Sequence, residues 1–151
     1  MAANKEPVFA LVPNLGGGAA TAANTAGDGG GTIGTNIFDV FTAGAVDGSW
    51  VEKIRLFPVS SVAATVMTAT VCRVFVTSIT SGPVTNGNCF CIAEIPLPAV
   101  TADQTTAANN AVDFALRLAL PPAWKILITN HAAPATNTRW QATFPGSGNF
   151  S

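Results

Sequence analysis

Thiol and imidazole chemistry in this 151-residue sequence rests on four side chains, Cys72, Cys89, Cys91 and His131. Three thiolates and one imidazole are a donor set that zinc accepts. The spacing argues against it, because one residue separates Cys89 from Cys91 where paired zinc ligands usually have about two to four between them. Buried free thiols are the favoured reading, since free cysteine packs as a small hydrophobe. A bridge from Cys72 to Cys89 or Cys91, or a bridge between subunits, stays open. His131 has no nucleophile to serve, and no G-x-S-x-G elbow occurs.

The acids Asp28, Asp39, Asp47, Glu52, Glu94, Asp103 and Asp113 are scattered singly, without the spacing of a calcium loop. Gly27-Asp28-Gly29-Gly30-Gly31-Thr32 resembles a phosphate cradle but lacks the lysine and the following helix that a P-loop needs. It reads as a flexible loop. No enzyme, no metal and no cofactor are expected. Arg55, Arg73 and Arg117 are more informative. Each falls mid-strand, opposite the larger apolar row, with Phe57 and Phe75 in the same outward phase. Arginine set among apolar residues is typical of protein interfaces. Arg55, Arg73, Arg117, Phe57 and Phe75 are therefore the candidate interface.

Charge is scarce. Only 10% of residues are Asp, Glu, Lys or Arg, against roughly 25% in ordinary domains. A lone soluble monomer carries more charge than this. The chain is thus expected either to enter a membrane or to cover its surface with partners. A transmembrane helix needs about 20 apolar residues. The uncharged run Leu56 to Cys72 is shorter and is interrupted by Pro58 and several Ser and Thr. Val8 to Val12 is too short for a signal peptide. No membrane partner is expected. The net charge of -1 gives no electrostatic reason to bind nucleic acid. Burial against other protein chains remains.

The elements that must position these residues are strands. Asn36 to Phe57 alternates at period two on both sides of Ala43-Gly44 and Asp47-Gly48-Ser49, the form of a β-hairpin. Trp50, Ile54 and Leu56 fall in one phase, Val51, Arg55 and Phe57 in the other. Further alternation marks strands over Thr70–Val76, Phe90–Ile95, Ala111–Leu120, Trp124–Thr129 and Thr138–Phe144. In Ala111–Leu120, Val112, Phe114, Leu116 and Leu118 oppose Asp113, Ala115, Arg117 and Ala119. Trp50, Trp124 and Trp140 share the apolar phase and are assigned to the core. Thr101 to Asn110 is the sole helix candidate, and a loop or one short turn is favoured there. The long connections Pro58–Thr68 and Ser78–Asn88 suggest crossings between sheets. The expected fold is all-β: an antiparallel β-sandwich, jelly-roll-like, over 32–151, behind a flexible Gly/Ala-rich arm over 1–31.

Asp28-Gly29-Gly30-Gly31-Thr32-Ile33, Asp39-Val40-Phe41-Thr42-Ala43-Gly44, Gly48-Ser49, Ile54-Arg55-Leu56, Leu120-Pro121-Pro122, Trp124 and Trp140 together resemble a family of small virion proteins of tailed bacteriophages. The similarity runs from about Ala19 to the C-terminus. The three cysteines and the Gly-rich arm lie outside the pattern. The resemblance implies a structural protein, a capsid decoration or cement protein on the capsid exterior. Its implied partners are the major capsid protein and itself, as a homotrimer. The alternatives are a tail or neck structural protein and a receptor- or carbohydrate-binding sandwich of the same virion.

Overall fold

Period-two alternation becomes extended backbone along most of the chain. The computed structural model describes residues 12–107 and 110–150. Among the described residues fourteen strands follow one another: β1 (Val12–Pro13), β2 (Gly18–Ala20), β3 (Gly31–Thr32), β4 (Phe38–Thr42), β5 (Ser49–Ser60), β6 (Thr65–Met67) and β7 (Thr70–Thr77). Then come β8 (Pro83–Val84), β9 (Cys89–Leu97), β10 (Val100–Ala102), β11 (Val112–Leu120), β12 (Lys125–Asn130), β13 (Thr138–Thr143) and β14 (Gly148–Asn149). Among the described residues there is no helix, and so none long and apolar enough to cross a membrane.

The pairing is nested. β7 pairs with β9, β5 with β11, β4 with β12 and β2 with β13, all antiparallel. Two further ladders, β13 to β5 and β12 to β7, join these pairs into two sheets. One sheet runs β2-β13-β5-β11, extended by β14 and β1, and the other runs β4-β12-β7-β9. Eight principal strands in two sheets, wound from one folded-back ladder, make a jelly roll.

Inward residues of both sheets meet in one core. Val51, Ile54, Leu56, Trp140 and Ala142 come from the β5 sheet, and Cys72, Val74, Val76, Ile126 and Ile128 from the β7 sheet. Phe41 and Phe144 add a tilted aromatic pair with ring centroids 5.0 Å apart. The two-stranded ribbon of β6 and β10 contributes Met67, Val100 and Ala102 to the same core. A second, smaller cluster, Ile37, Phe75, Val84, Cys89 and Leu127, lies apart from it. Phe75 and Leu127 are paired neighbours on the β7 sheet, in the phase opposite Val74 and Ile128, so this cluster lies on the sheet's outer face.

Four expectations change. Residues 12–31 are not a loose arm. β2 pairs with β13 and buries Ala20, β1 pairs with β14, and β3 pairs with β8. Glycine there permits close approach: a Cβ on Gly18 would lie 2.7 Å from Val40 Cγ1. The first eleven residues of the expected arm lie outside the described residues. Trp50 faces outward, where its indole Nε1 donates to Glu52 Oε2 at 3.1 Å. Both Val51 and Ile54 point inward, so the two phases of β5 exchange between them. Thr101 belongs to β10, and Asp103 Oδ1 then accepts from the Thr105 amide and hydroxyl, both at 2.8 Å, in a side-chain-closed turn. The Pro58–Thr68 region does lead from one sheet to the other, but Ser78–Asn88 joins β7 to its own neighbour β9.

Candidate functional site

The thiols are placed first by burial. Cys72 lies on the inner face of β7 in the sandwich core, and Cys89 lies in the outer cluster. They occupy opposite sides of one sheet and cannot bridge. All three cysteines are free, and Cys91 is exposed. Burial pushes the Cys72 thiol up to about 12. It pushes Cys89 up to about 11, with Cys91 adding to the rise. His131 is an exposed residue just beyond β12, its backbone amide bonded to the Val71 carbonyl. The described residues bring no three His, Cys, Asp or Glu side chains together as a metal site. Since the thiolate is the reacting species, a thiol-specific disulfide reagent at pH 8 should label one cysteine of the native protein, Cys91. Cys72 and Cys89 should react only on unfolding. Fast labelling of two or three thiols in the native state would contradict this placement.

The Gly27–Gly31 loop is a roof over the outer cluster. Gly29 lies close to the Phe75 ring and to Cys89 Sγ. Asn24 clamps the loop: its Nδ2 donates to the Gly30 carbonyl at 3.1 Å and its Oδ1 accepts from the Ala26 amide at 2.9 Å. Asp28 Oδ1 accepts from the Gly30 amide at 3.0 Å. These bonds hold the loop down on an apolar cluster.

The three arginines do not share a face. Arg55 and Arg117 lie on the outer face of the β5 sheet, whereas Arg73 lies on the outer face of the β7 sheet, with the core between them. Arg55 grips Asp113 with two bonds, Nε to Oδ1 at 2.6 Å and Nη2 to Oδ2 at 2.8 Å. Lys53 Nζ reaches the same carboxylate at 2.8 Å. Bonds from Arg55 and then Lys53 hold the Asp113 carboxyl well below the usual carboxylate range. The hydrogen bonds to Asp113 and its negative charge raise the Arg55 pKa. These groups are well exposed, so the cluster contributes little to stability. Arg117 is 72% exposed, and its Nε reaches Glu52 only at 3.5 Å. Arg117 also has φ 49° at a bulge in which β11 spends one residue more than β5.

Arg73 is 14% exposed and its Nε bonds Glu94 Oε1 at 2.7 Å. Phe75 is corrected outright. It is fully buried in the outer cluster rather than exposed on the outer face. The outward phase of β7 is expected to face a protein partner, but at Phe75 the chain's own glycine loop covers it. Phe57 is 37% exposed on the outer face of the β5 sheet, as an interface residue requires. Beside it lies a groove of about 330 Å³, lined in part by Pro58, Val59, Asp103 and Gln104. The one carboxylate in that lining, Asp103, is held by Thr105.

What the arrangement offers is neutralised charge beside exposed apolar area. Lys53, Arg55, Arg73, Arg117 and Lys125 all lie in ion pairs, the last with Asp39. Val46, Val66, Phe57, Phe90, Ile92 and Phe114 remain exposed. Reading the sequence alone missed these pairs because their members are far apart along the chain. Lys53 and Asp113 meet only once the register of β5 against β11 is known. The signal present was the shared outward phase of Asp113 and Arg55. Scans of family models, of curated proteins and of solved structures each find no match to this chain.

Proposed function

We propose that this chain is a structural virion protein of a tailed bacteriophage, a decoration protein that binds the outer capsid at subunit junctions and stabilises the head. The observation that carries the reading is the surface. Its cations are largely paired within the chain, and large apolar side chains stay exposed beside them. Such a surface suits broad contact with protein and offers no field to attract nucleic acid. The hairpin resemblance supplies the virion context, with the major capsid protein as partner. No cofactor enters this role.

The test is a reconstruction of the virion encoded with this chain, together with mass spectrometry of purified particles. Two-layer β density on the outer head surface is the expected result. Purified protein added back to heads stripped of it should raise the temperature at which DNA escapes. Absence from purified virions would overturn the reading. Density at the tail or neck would replace it with the tail-protein alternative.

A further inference from the structure

Asn86-Gly87 is the one Asn-Gly step in the sequence. It forms the tip of the turn that joins β8 to β9, and both residues are exposed. Two hydrogen bonds close the turn around them. The Asn88 amide donates to the Thr85 carbonyl at 3.0 Å, and the Thr85 amide donates to Asn88 Oδ1 at 2.8 Å. Between those bonds nothing is tied down. Among the described residues the Gly87 amide has no acceptor, and the Asn86 side chain has no hydrogen-bond partner. Asn14, Asn24, Asn36, Asn88 and Asn149 differ on both counts: their side chains are hydrogen-bonded, and each is followed by a residue with a side chain of its own. Asp28-Gly29 and Asp47-Gly48 present a carboxylate in place of the amide, a poorer electrophile. The Gly48 amide is in addition bonded to the Gly44 carbonyl.

We propose that Asn86 is a site of spontaneous self-modification, with the Gly87 backbone nitrogen as its nucleophile. That nitrogen gives its proton to solvent and attacks Asn86 Cγ. The new N–C bond closes a five-membered imide. The Cγ–Nδ2 bond breaks, and ammonia leaves with a proton from solvent. Water then opens the ring at either carbonyl. Opening at Cγ leaves aspartate. Opening at the main-chain carbonyl of residue 86 leaves isoaspartate, whose backbone runs through the former side chain and is one carbon longer. Nothing is oxidised or reduced, and water is the sole co-reactant. Glycine matters here because it has no Cβ to hinder the approach of its nitrogen.

The longer backbone has a consequence set by the residues on either side. Val84 and Cys89 bracket the turn, each 2% exposed in the outer cluster. The Asn88 carbonyl accepts from Thr77 Oγ1 at 2.6 Å, which anchors the turn to the end of β7. An extra carbon between Thr85 and Asn88 is not accommodated with both closing bonds at their present lengths. Isoaspartate therefore lifts Cys89 from beneath the Gly29 loop, a slow and irreversible loosening of the outer cluster that leaves the sandwich core in place. The inference does not rest on the capsid reading.

The experiment uses the full chain in a Cys91→Ser background, aged in warm, mildly alkaline buffer and compared with fresh protein. Isoelectric focusing should show a species more acidic by a single charge. Peptide mapping should place the change at Asn86, and a methyltransferase specific for isoaspartate should label it. Gly87→Ala should slow the conversion about tenfold or more, since it restores the hindering Cβ. That variant should fold like the parent, because Gly87 has no positive φ and the nearest atom to an added Cβ, Thr85 Oγ1, is 3.8 Å away. Labelling of Cys89 by a thiol reagent should rise severalfold in the aged parent and stay low in aged Gly87→Ala. Fresh Asn86→Asp, which has the charge without the longer backbone, should keep Cys89 protected. An intact Asn86 after ageing overturns the proposal, as does conversion of Gly87→Ala at the parent's rate. So does isoaspartate-bearing protein whose Cys89 is as protected as in fresh protein, or fresh Asn86→Asp in which Cys89 is already reactive.

Discussion

Gly48→Ala is expected to cost the fold about 2–5 kcal/mol. Gly48 has φ +82°, and a Cβ there would collide with the Leu120 carbonyl oxygen and lie 3.1 Å from the Pro121 carbonyl carbon. Both are backbone atoms, so no side-chain rotation relieves the clash. The turn before β5 is pressed on the corner between β11 and β12. It is held there by the hydrogen bond from the Ala123 amide to the Gly44 carbonyl, and the Gly48 amide closes the turn on the same carbonyl. Left-handed backbone with a Cβ accounts for about 1–2 kcal/mol, and forced displacement of packed backbone for about 1–3 more. Gly34 provides the control. Its φ is +85° but nothing lies within 4 Å of its Cβ position. Gly34→Ala should therefore show the backbone cost alone. Denaturant midpoints measured on both variants decide the matter, and equal shifts would refute the contact at Leu120.

Phe75→Ala should lose about 3–5 kcal/mol, the range for emptying a buried phenylalanine site. The ring is fully buried among Ile37, Val84, Cys89 and Leu127, and the glycine loop closes over it. Removing it leaves a hole on the outer face of β7 that the loop, clamped by Asn24, cannot easily fill. A second readout follows from the same geometry: Cys89 should gain reactivity toward a thiol reagent while the protein is still folded, and Cys72 should not. If Phe75 instead served a partner surface, truncation would leave stability and labelling as they were and change only association. The two outcomes are separable on the isolated chain.

Much of this architecture was legible in the sequence. Alternation located the principal strands, and in β11 and β13 it assigned the faces correctly: Trp140, Ala142 and Phe144 are buried. It misassigned Phe75 because period two says which residues share a face, not whether that face is covered. The cover comes from a Gly-rich segment with few large side chains. It misassigned Trp50 because β5 exchanges its phases between Val51 and Ile54, a local irregularity that a pattern of one strand does not encode. The candidate arginines were correctly read as outward, but their separation onto opposite sheets depends on which strand pairs with which. Of the five interface candidates, Arg55, Arg117 and Phe57 lie on one exposed outer face. Arg73 is largely enclosed and Phe75 is wholly so.

The nested ladder also fixes an order of events during synthesis. β7 and β9 are near neighbours in the chain and can close first, whereas β2 must await β13, which is made more than a hundred residues later. The strand made early is therefore the last of the principal strands to be seated. Such distant pairing is slow and exposes unpaired backbone in the interval. The waiting segment is Gly16-Gly17-Gly18-Ala19-Ala20, with almost no side chain to stick to a wrong edge and little tendency to extend by itself. Its blandness protects the nascent chain until the partner arrives.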